Sequence, residues 1–373
     1  MKKALAIVDY YPTSRGGHFH SWFEKIIRCA MHHVDFIGVY ASGHSSMPLG
    51  ITSELTFKNT DPDVVFFDIE QLFLPPRIYS NTSKLNLLAS HIANFSACDN
   101  VAVFVMWSFD LLDSFEEPAI PWSGIGVLSA LGRNIKTDSY DHESRLLDLV
   151  EKNTFCKNLL LWDSYIVDSK ISSKSIFIPD IENIKQSENP PNISKIDHRK
   201  IGLVGQLWGY RGVDLLIQII ACNPDVSGLL SGVLKQDSLS NEALEYIKHK
   251  PLNLTINNKF YETDCEVNSE ISKLGALVID GEKYPCPSGI ALRAMSLGRC
   301  VISSRGSSWI NDVINEYNCG LIVDSSHFKN LHELISAFYD NGGSFRASEA
   351  AKILMNEEKL SICIKNTIEK MFI

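Results

Sequence analysis

The stretch from Tyr284 to Ser304, YPCPSGIALRAMSLGRCVISS, constrains this chain more than any other. Two prolines and a Ser-Gly pair open it, a combination that stops a strand and turns the backbone. Ile290, Ala291, Ala294, Met295 and Leu297 then recur at helical spacing. The helix is predicted to begin near Ser288 or Gly289, because serine is a good N-cap and glycine is tolerated there. Gly298 ends it, and Cys300, Val301 and Ile302 read as a short buried strand. A small-residue loop feeding a helix N-terminus beside a parallel strand suits an anion. Free N–H groups and the positive end of the helix dipole converge there, and no side chain blocks a phosphate. An ordinary strand–loop–helix–strand crossover has the same features, so this stretch alone leaves both readings open.

The 373 residues suffice for two domains, each able to bury its own core. The net charge of −9 argues against a nucleic-acid partner, while leaving room for a local basic cleft that holds a small anion. Nine cysteines occur without a CxxC pair, so neither a zinc site nor a disulfide framework is expected. Lys2 and Lys3 precede only a short apolar run that Asp9 interrupts, and no run approaches the ~20 residues that span a bilayer. The simplest expectation is a cytoplasmic protein.

Along the chain, Ala4 to Val8, Val34 to Tyr40, Asp63 to Phe67 and Val101 to Met106 read as buried strands. Phe19, Trp22, Phe23, Ile26 and Ile27 give an apolar helical face, and Ser83 to Phe95 reads as a second helix. Continuous apolar runs alternating with helices predict a parallel sheet covered on both faces. The Gly16-Gly17 pair lets the backbone approach a ligand closely, although a flexible surface turn uses the same residues. Asp110 follows the Val101 to Met106 strand, and ligands collect at carboxyl ends of strands in such sheets. A solvated loop aspartate fits that place too. PAIPWSGIG, Pro118 to Gly126, reads as a loop, either bordering an acceptor cleft or packing at a domain edge. A helix from about Asp141 to Thr154 and strands at Leu159 to Trp162 and Ser175 to Ile178 follow.

The polar, Pro- and Asn-rich stretch after Ile178 has no period and reads as a linker. The pattern then restarts: a strand from Lys200 to Gly205, a loop from Gln206 to Gly212, and a helix carrying Val213, Leu215, Leu216 and Ile219. Short strands are expected at Gly228 to Val233, Leu252 to Ile256, Ala276 to Ile279 and Gly320 to Val323, with a helical tail from Ser348 to Phe372. The expected domains are 1–180 and 200–355, joined by a linker at 181–199, with a C-terminal helix at 356–373 packing back on the first.

Three pieces of the second half occur in a fixed order. IGLVGQLWGYRGVDLLIQII, SGIALRAMSLGRCVISS and NDVINEYNCGLIV resemble the donor domain of GT-B glycosyltransferases, closest to the retaining, metal-independent group. The fold class implied is α/β, two Rossmann-like βα domains facing each other across a cleft. The first half agrees more loosely, through its N-terminal strand and the Gly16-Gly17 loop. The resemblance implies a nucleotide-sugar donor as co-substrate, no separate cofactor and no metal. It also implies a glycan or glycolipid acceptor and a place at the inner face of the plasma membrane. It implies donor contacts from Gly16, Gly17, Gly205, Gln206, Arg211, Ser288, Gly289, Ile290 and Arg293. Arg211, and Asp110 from its place after a strand, are the catalytic candidates. Phe260 and Tyr261 are candidates to stack on the base, or are core aromatics.

The chain departs from that group at four positions. Gln206 and Arg211 stand where the group has arginine and then lysine. Arg211 can still make a bidentate phosphate contact, and Gln206 only a neutral one. Pro285 and Arg293 replace a pair of glutamates, the second of which accepts hydrogen bonds from the ribose, as arginine cannot. Glu282 is the nearest carboxylate that could substitute. Nucleotide-sugar epimerisation and a catalytically silent binding subunit are the competing expectations.

Overall fold

The computed structural model describes residues 1–9, 18–41, 63–68, 81–106, 108–111, 118–128, 138–163, 172–179, 196–261 and 263–373. The chain divides into two compact units, Met1–Ile181 with Asn356–Ile373, and Glu182–Met355.

The first unit is built on a seven-stranded sheet of β1 (Lys3–Asp9), β2 (Phe36–Ala41), β3 (Asp63–Asp68), β4 (Asn100–Val105), β5 (Trp122–Gly126), β6 (Cys156–Leu161) and β7 (Ser175–Phe177). Their spatial order is β3-β2-β1-β4-β5-β6-β7 and every pairing is parallel. Strands buried on both faces need apolar residues at successive positions, and ALAIVD in β1 and FIGVYA in β2 are buried throughout. Leu85, Leu88 and Ile92 of α2 (Asn81–Ser96) and Leu146 and Val150 of α3 (Asp138–Lys152) cover one face. Trp22, Phe23, Ile26 and Ile27 of α1 (His18–Ala30) cover the other.

PAIPWSGIG is not a loop throughout. Pro118 to Pro121 lead into β5, which lies between β4 and β6 with all five residues buried. Its glycines are there for space. A Cβ on Gly124 would overlap Ser108 Oγ and come within 2.7 Å of the Val105 carbonyl oxygen. The Trp122 indole finds its polar partner in the buried Asn153, at 3.1 Å.

The second unit carries a six-stranded sheet of β8 (Lys200–Leu207), β9 (Ser227–Leu234), β10 (Leu254–Asn258), β11 (Ala276–Ile279), β12 (Cys300–Ser304) and β13 (Gly320–Val323). The order is β10-β9-β8-β11-β12-β13, again all parallel. Between the strands run α4 (Val213–Cys222), α5 (Asn241–Lys248), α6 (Asp264–Ser272), α7 (Gly289–Ser296) and α8 (Trp309–Tyr317), followed by α9 (Leu331–Asp340) and α10 (Gly343–Leu354). β8 continues through Gly205 to Leu207, so Gln206 is a strand residue and not the start of a loop. β10 begins two residues later than expected, because Leu254 N–H closes a turn onto the Pro251 carbonyl at 3.2 Å.

The expected single tail helix is two. Asn356 breaks it by capping α11 (Glu357–Met371), its side chain accepting from Lys359 N at 2.9 Å. Leu360, Ile364, Ile368 and Met371 of α11 join the core of the first unit, and Asn158 Nδ2 donates to Thr367 Oγ1 at 3.3 Å.

Candidate functional site in the second sheet

In doubly wound sheets a ligand crevice forms outside the carboxyl ends of the strands, where the strand order reverses. In the second unit that point lies between β8 and β11. Two loops meet there, the one after β8 (Trp208 to Gly212) and the one after β11 (Asp280 to Ser288).

The loop after β8 is held by glycine. Gly212 has φ +136°, and a Cβ there would sit 2.9 Å from the Val278 carbonyl oxygen, so the start of α4 presses directly on β11. This contact brings Arg211 beside the second loop: Asp280 N–H donates to the Arg211 carbonyl at 3.2 Å. The half-buried Arg211 guanidinium lies 5.0 Å from the Tyr284 ring centroid and 5.8 Å from that of Trp208. Trp208 meets Tyr210 edge-on at 5.0 Å, and burial pushes the Tyr210 phenol above its ordinary pKa, with the neighbouring Arg211 charge opposing.

The second loop turns around Asp280, which is almost wholly buried. Its Oδ1 accepts from Ser304 Oγ at 2.6 Å, Glu282 N at 3.2 Å and Lys283 N at 3.3 Å. Ser304 Oγ in turn accepts from Glu282 N at 2.9 Å, and Tyr284 N–H donates to the Asp280 carbonyl at 2.8 Å. Lys283 Nζ lies 3.6 Å from Asp214 Oδ2 and 4.0 Å from Asp280 Oδ2. The loop ends on the buried Ser288, the N-cap of α7, whose Oγ accepts from Ala291 N at 3.4 Å. Gly289 and Ile290 are the first two residues of α7, where N–H groups have no acceptor within a helix. Arginine, lysine and a helix N-terminus thus occupy adjoining loops at the switch point, a combination that can receive a polyanion.

The other sequence candidates are spread more widely. Gly205 has φ +97° and its α-hydrogen faces open space, and the next residue, Gln206, is exposed. Glu282 is exposed on the second loop. Arg293 lies inside α7, buried, with Nη2 2.8 Å from Asp264 Oδ1. Phe260 is largely exposed. Tyr261 is half-buried, its hydroxyl hydrogen-bonded to Ser231 Oγ and its ring 4.5 Å from Lys259 Nζ. Asp110 belongs to the first unit, in a short 3-10 turn (Ser108–Leu111) after β4. Gly16 and Gly17 lie outside the described residues. Asp280, Lys283 and Ser304 went unremarked in the sequence. The available signal was DGEK directly after a four-residue apolar strand, an acid able to close a turn on its own successors.

No protein-family model matches the chain, and no curated protein matches it in sequence. Solved structures do match it in fold. HepE from Anabaena, solved in complex with UDP, superposes with a TM-score of 0.60 at 15% identity, covering 99% of this chain and 98% of that one. WaaG, a glycosyltransferase involved in lipopolysaccharide biosynthesis, gives 0.56 at 15% identity, with 98% of each chain covered. Sucrose-phosphate synthase from Thermosynechococcus elongatus gives 0.62 at 12% identity, also with 98% of each covered. The likeness runs the length of both chains, and the fold is the two-domain GT-B fold of these enzymes.

Proposed function

We propose that this protein is a glycosyltransferase that moves a sugar from a nucleotide-sugar donor to an acceptor hydroxyl during glycan or glycolipid assembly. The observation that carries the proposal is that, at the switch point of the second sheet, the loop bearing Arg211 is bonded to the loop that ends in the N-cap of α7. A likeness spanning whole chains to structures that hold UDP or UDP-glucose supports it. The difficult step is departure of a diphosphate from an oxocarbenium-like carbon, and charge growing on the leaving oxygens must be met by fixed donors. Arg211 and the N–H groups of Gly289 and Ile290 are the donors assigned to that task. Asp110, in the turn after β4, is kept as the second catalytic candidate. Transfer is proposed to retain anomeric configuration and to need no metal, since cation and helix N-terminus meet the charge that an ion would otherwise meet. The place of action is the cytoplasm, at the inner face of the plasma membrane. Among the described residues no helix is long and apolar enough to cross a membrane.

The test is a panel of nucleotide sugars, beginning with UDP-glucose, incubated with the purified protein without acceptor. Slow donor hydrolysis, unchanged by excess EDTA, is the expected result. Interconversion of two donors would make the protein an epimerase. Absence of any nucleotide binding would make it a silent subunit. Activity lost in EDTA and restored by Mg²⁺ or Mn²⁺ would show that the phosphate chemistry depends on an ion.

A further inference from the structure

We infer that Lys283 is a second cation for the anion received at this site, its ammonium contacting a diphosphate oxygen alongside Arg211. The inference rests on the reading above that the second unit binds a nucleoside diphosphate.

Lys283 is held at both its backbone and its ammonium. Its backbone is fixed by the turn around Asp280, and its ammonium sits beside two nearly buried carboxylates, Asp280 of its own loop and Asp214 of α4. Asp214 belongs to the first turn of α4 and is itself anchored, its Oδ1 accepting from Ser240 N at 3.1 Å. The separations of 3.6 and 4.0 Å exceed the roughly 2.7–3.2 Å of an N–H···O hydrogen bond. The two acids therefore fix the ammonium by their field and consume none of its three N–H groups. Among the described residues Lys283 Nζ donates no hydrogen bond, and the side chain is 48% exposed. A lysine placed this way has its charge positioned and its donors uncommitted.

Charge balance gives the second reason. Asp214 and Asp280 bring two negative charges to the loops that Arg211 and the α7 N-terminus make attractive to anions. With Arg211 alone, these acids and the exposed Glu282 of the same loop leave the site net negative, and an approaching diphosphate would meet repulsion. Lys283 lowers that charge by one. Gln206, exposed near the end of β8, adds no charge.

The experiment titrates the full chain with UDP, GDP, ADP and inorganic pyrophosphate by calorimetry, comparing wild type with Lys283→Met, Lys283→Arg and Arg211→Ala. Lys283→Met keeps most of the aliphatic stem and removes the charge. It should weaken both pyrophosphate and the preferred nucleoside diphosphate about tenfold at an unchanged melting temperature, in keeping with one charge-assisted contact. Lys283→Arg should return affinity to within about threefold of wild type, because charge and donors return. Wild-type affinity in Lys283→Met, with binding lost in Arg211→Ala, overturns the role of Lys283 and leaves the nucleotide reading standing. A lowered melting temperature in Lys283→Met, with no recovery in Lys283→Arg, reduces the lysine to a structural tie and also overturns it. Wild-type protein that binds none of the four probes overturns both readings.

Discussion

The backbone N–H of Asp280 donates to the carbonyl oxygen of Arg211 at 3.2 Å, so the loops after β8 and β11 are tied where the second sheet reverses its strand order. Neither loop is held by its own strand alone. Arg211 leans on Tyr284 from the opposite loop, and Asp280 draws in Ser304 from the end of β12. The consequence is preorganisation: three strand ends are cross-linked by bonds that exist before any ligand arrives, so a ligand there need not order them.

Arg211→Ala is expected to lower the transfer rate by about 10²–10³, which corresponds to roughly 2–4 kcal/mol of transition-state stabilisation. Arg211→Lys should recover part of that, because a point charge does not reproduce the guanidinium fork. The guanidinium also packs over Tyr284 and Trp208. Its removal should therefore also cost about 0.5–1 kcal/mol of stability. Steady-state rates paired with thermal melts check both numbers. Normal turnover in a normally folded Arg211→Ala protein would remove Arg211 from the mechanism.

His91 makes the first unit sensitive to mild acid. Its Nδ1 lies 3.0 Å from the hydroxyl of the buried Tyr40, and its ring meets Phe67 edge-on at 4.9 Å. Burial lowers the pKa of His91 below its ordinary value, so the folded state favours the neutral ring. In the window between that lowered value and the unfolded value near ~6.5, the unfolded chain binds more protons. Stability is then fully present above the unfolded value and is lost as pH falls through the window. Protonation also turns Nδ1 into a donor, so the Tyr40 hydroxyl can no longer donate to it. Urea midpoints at pH 7.5 and 5.5 should fall in wild type and fall less in His91→Gln. Equal slopes in the two proteins would contradict this account.

Gly212→Ala tests the contact that brings the two loops together. With φ at +136° the backbone there is unfavourable for any L side chain, and the new methyl would meet the Val278 carbonyl at 2.9 Å. A loss of about 2–3 kcal/mol is expected in chemical denaturation. The folded fraction should also bind pyrophosphate more weakly, because Arg211 is the preceding residue. A variant with wild-type stability and affinity would mean that the loop shifts freely.

The sequence was most legible where one structural rule acted alone. Ser288 caps α7, Gly298 follows its end, and Ala276–Ile279 and Gly320–Val323 are the strands their apolar runs predicted. It misled where composition reported packing and not conformation. Pro118, Pro121, Gly124 and Gly126 look like loop residues, yet the glycines of β5 leave room for Ser108 and for Leu146, Leu159 and Leu161. In the candidate site, the loop of Arg211 and the cap at Ser288 were legible because they sit next to strand and helix signals. Asp280 and Lys283 were not, because their partners Ser304 and Asp214 lie 24 and 69 positions away in sequence, and no local pattern encodes such pairings.

Asn153 ties the entry of β5 to the turn into β6, and removing it should be costly. It follows α3 and is almost wholly buried. Its Oδ1 accepts from Trp122 Nε1 at 3.1 Å and from the backbone N–H groups of Phe155 and Cys156 at 3.0 Å each. Its Nδ2 donates to the Pro118 carbonyl at 3.0 Å, anchoring the chain just before β5. One side chain thus satisfies a buried indole, the turn into β6 and the entry to β5. Asn153→Ala leaves several polar groups in the core without a partner, each worth about 1–3 kcal/mol, and adds a small cavity. The total loss should be about 3–5 kcal/mol in denaturant titrations. Asn153→Asp keeps the acceptor for Trp122 and the two backbone N–H groups but gives up the donor to Pro118. Burial of its charge is offset by those three donors, so its loss should be the smaller of the two. An Asn153→Ala protein within about 1 kcal/mol of wild type would show that β5 is held by its neighbouring strands alone.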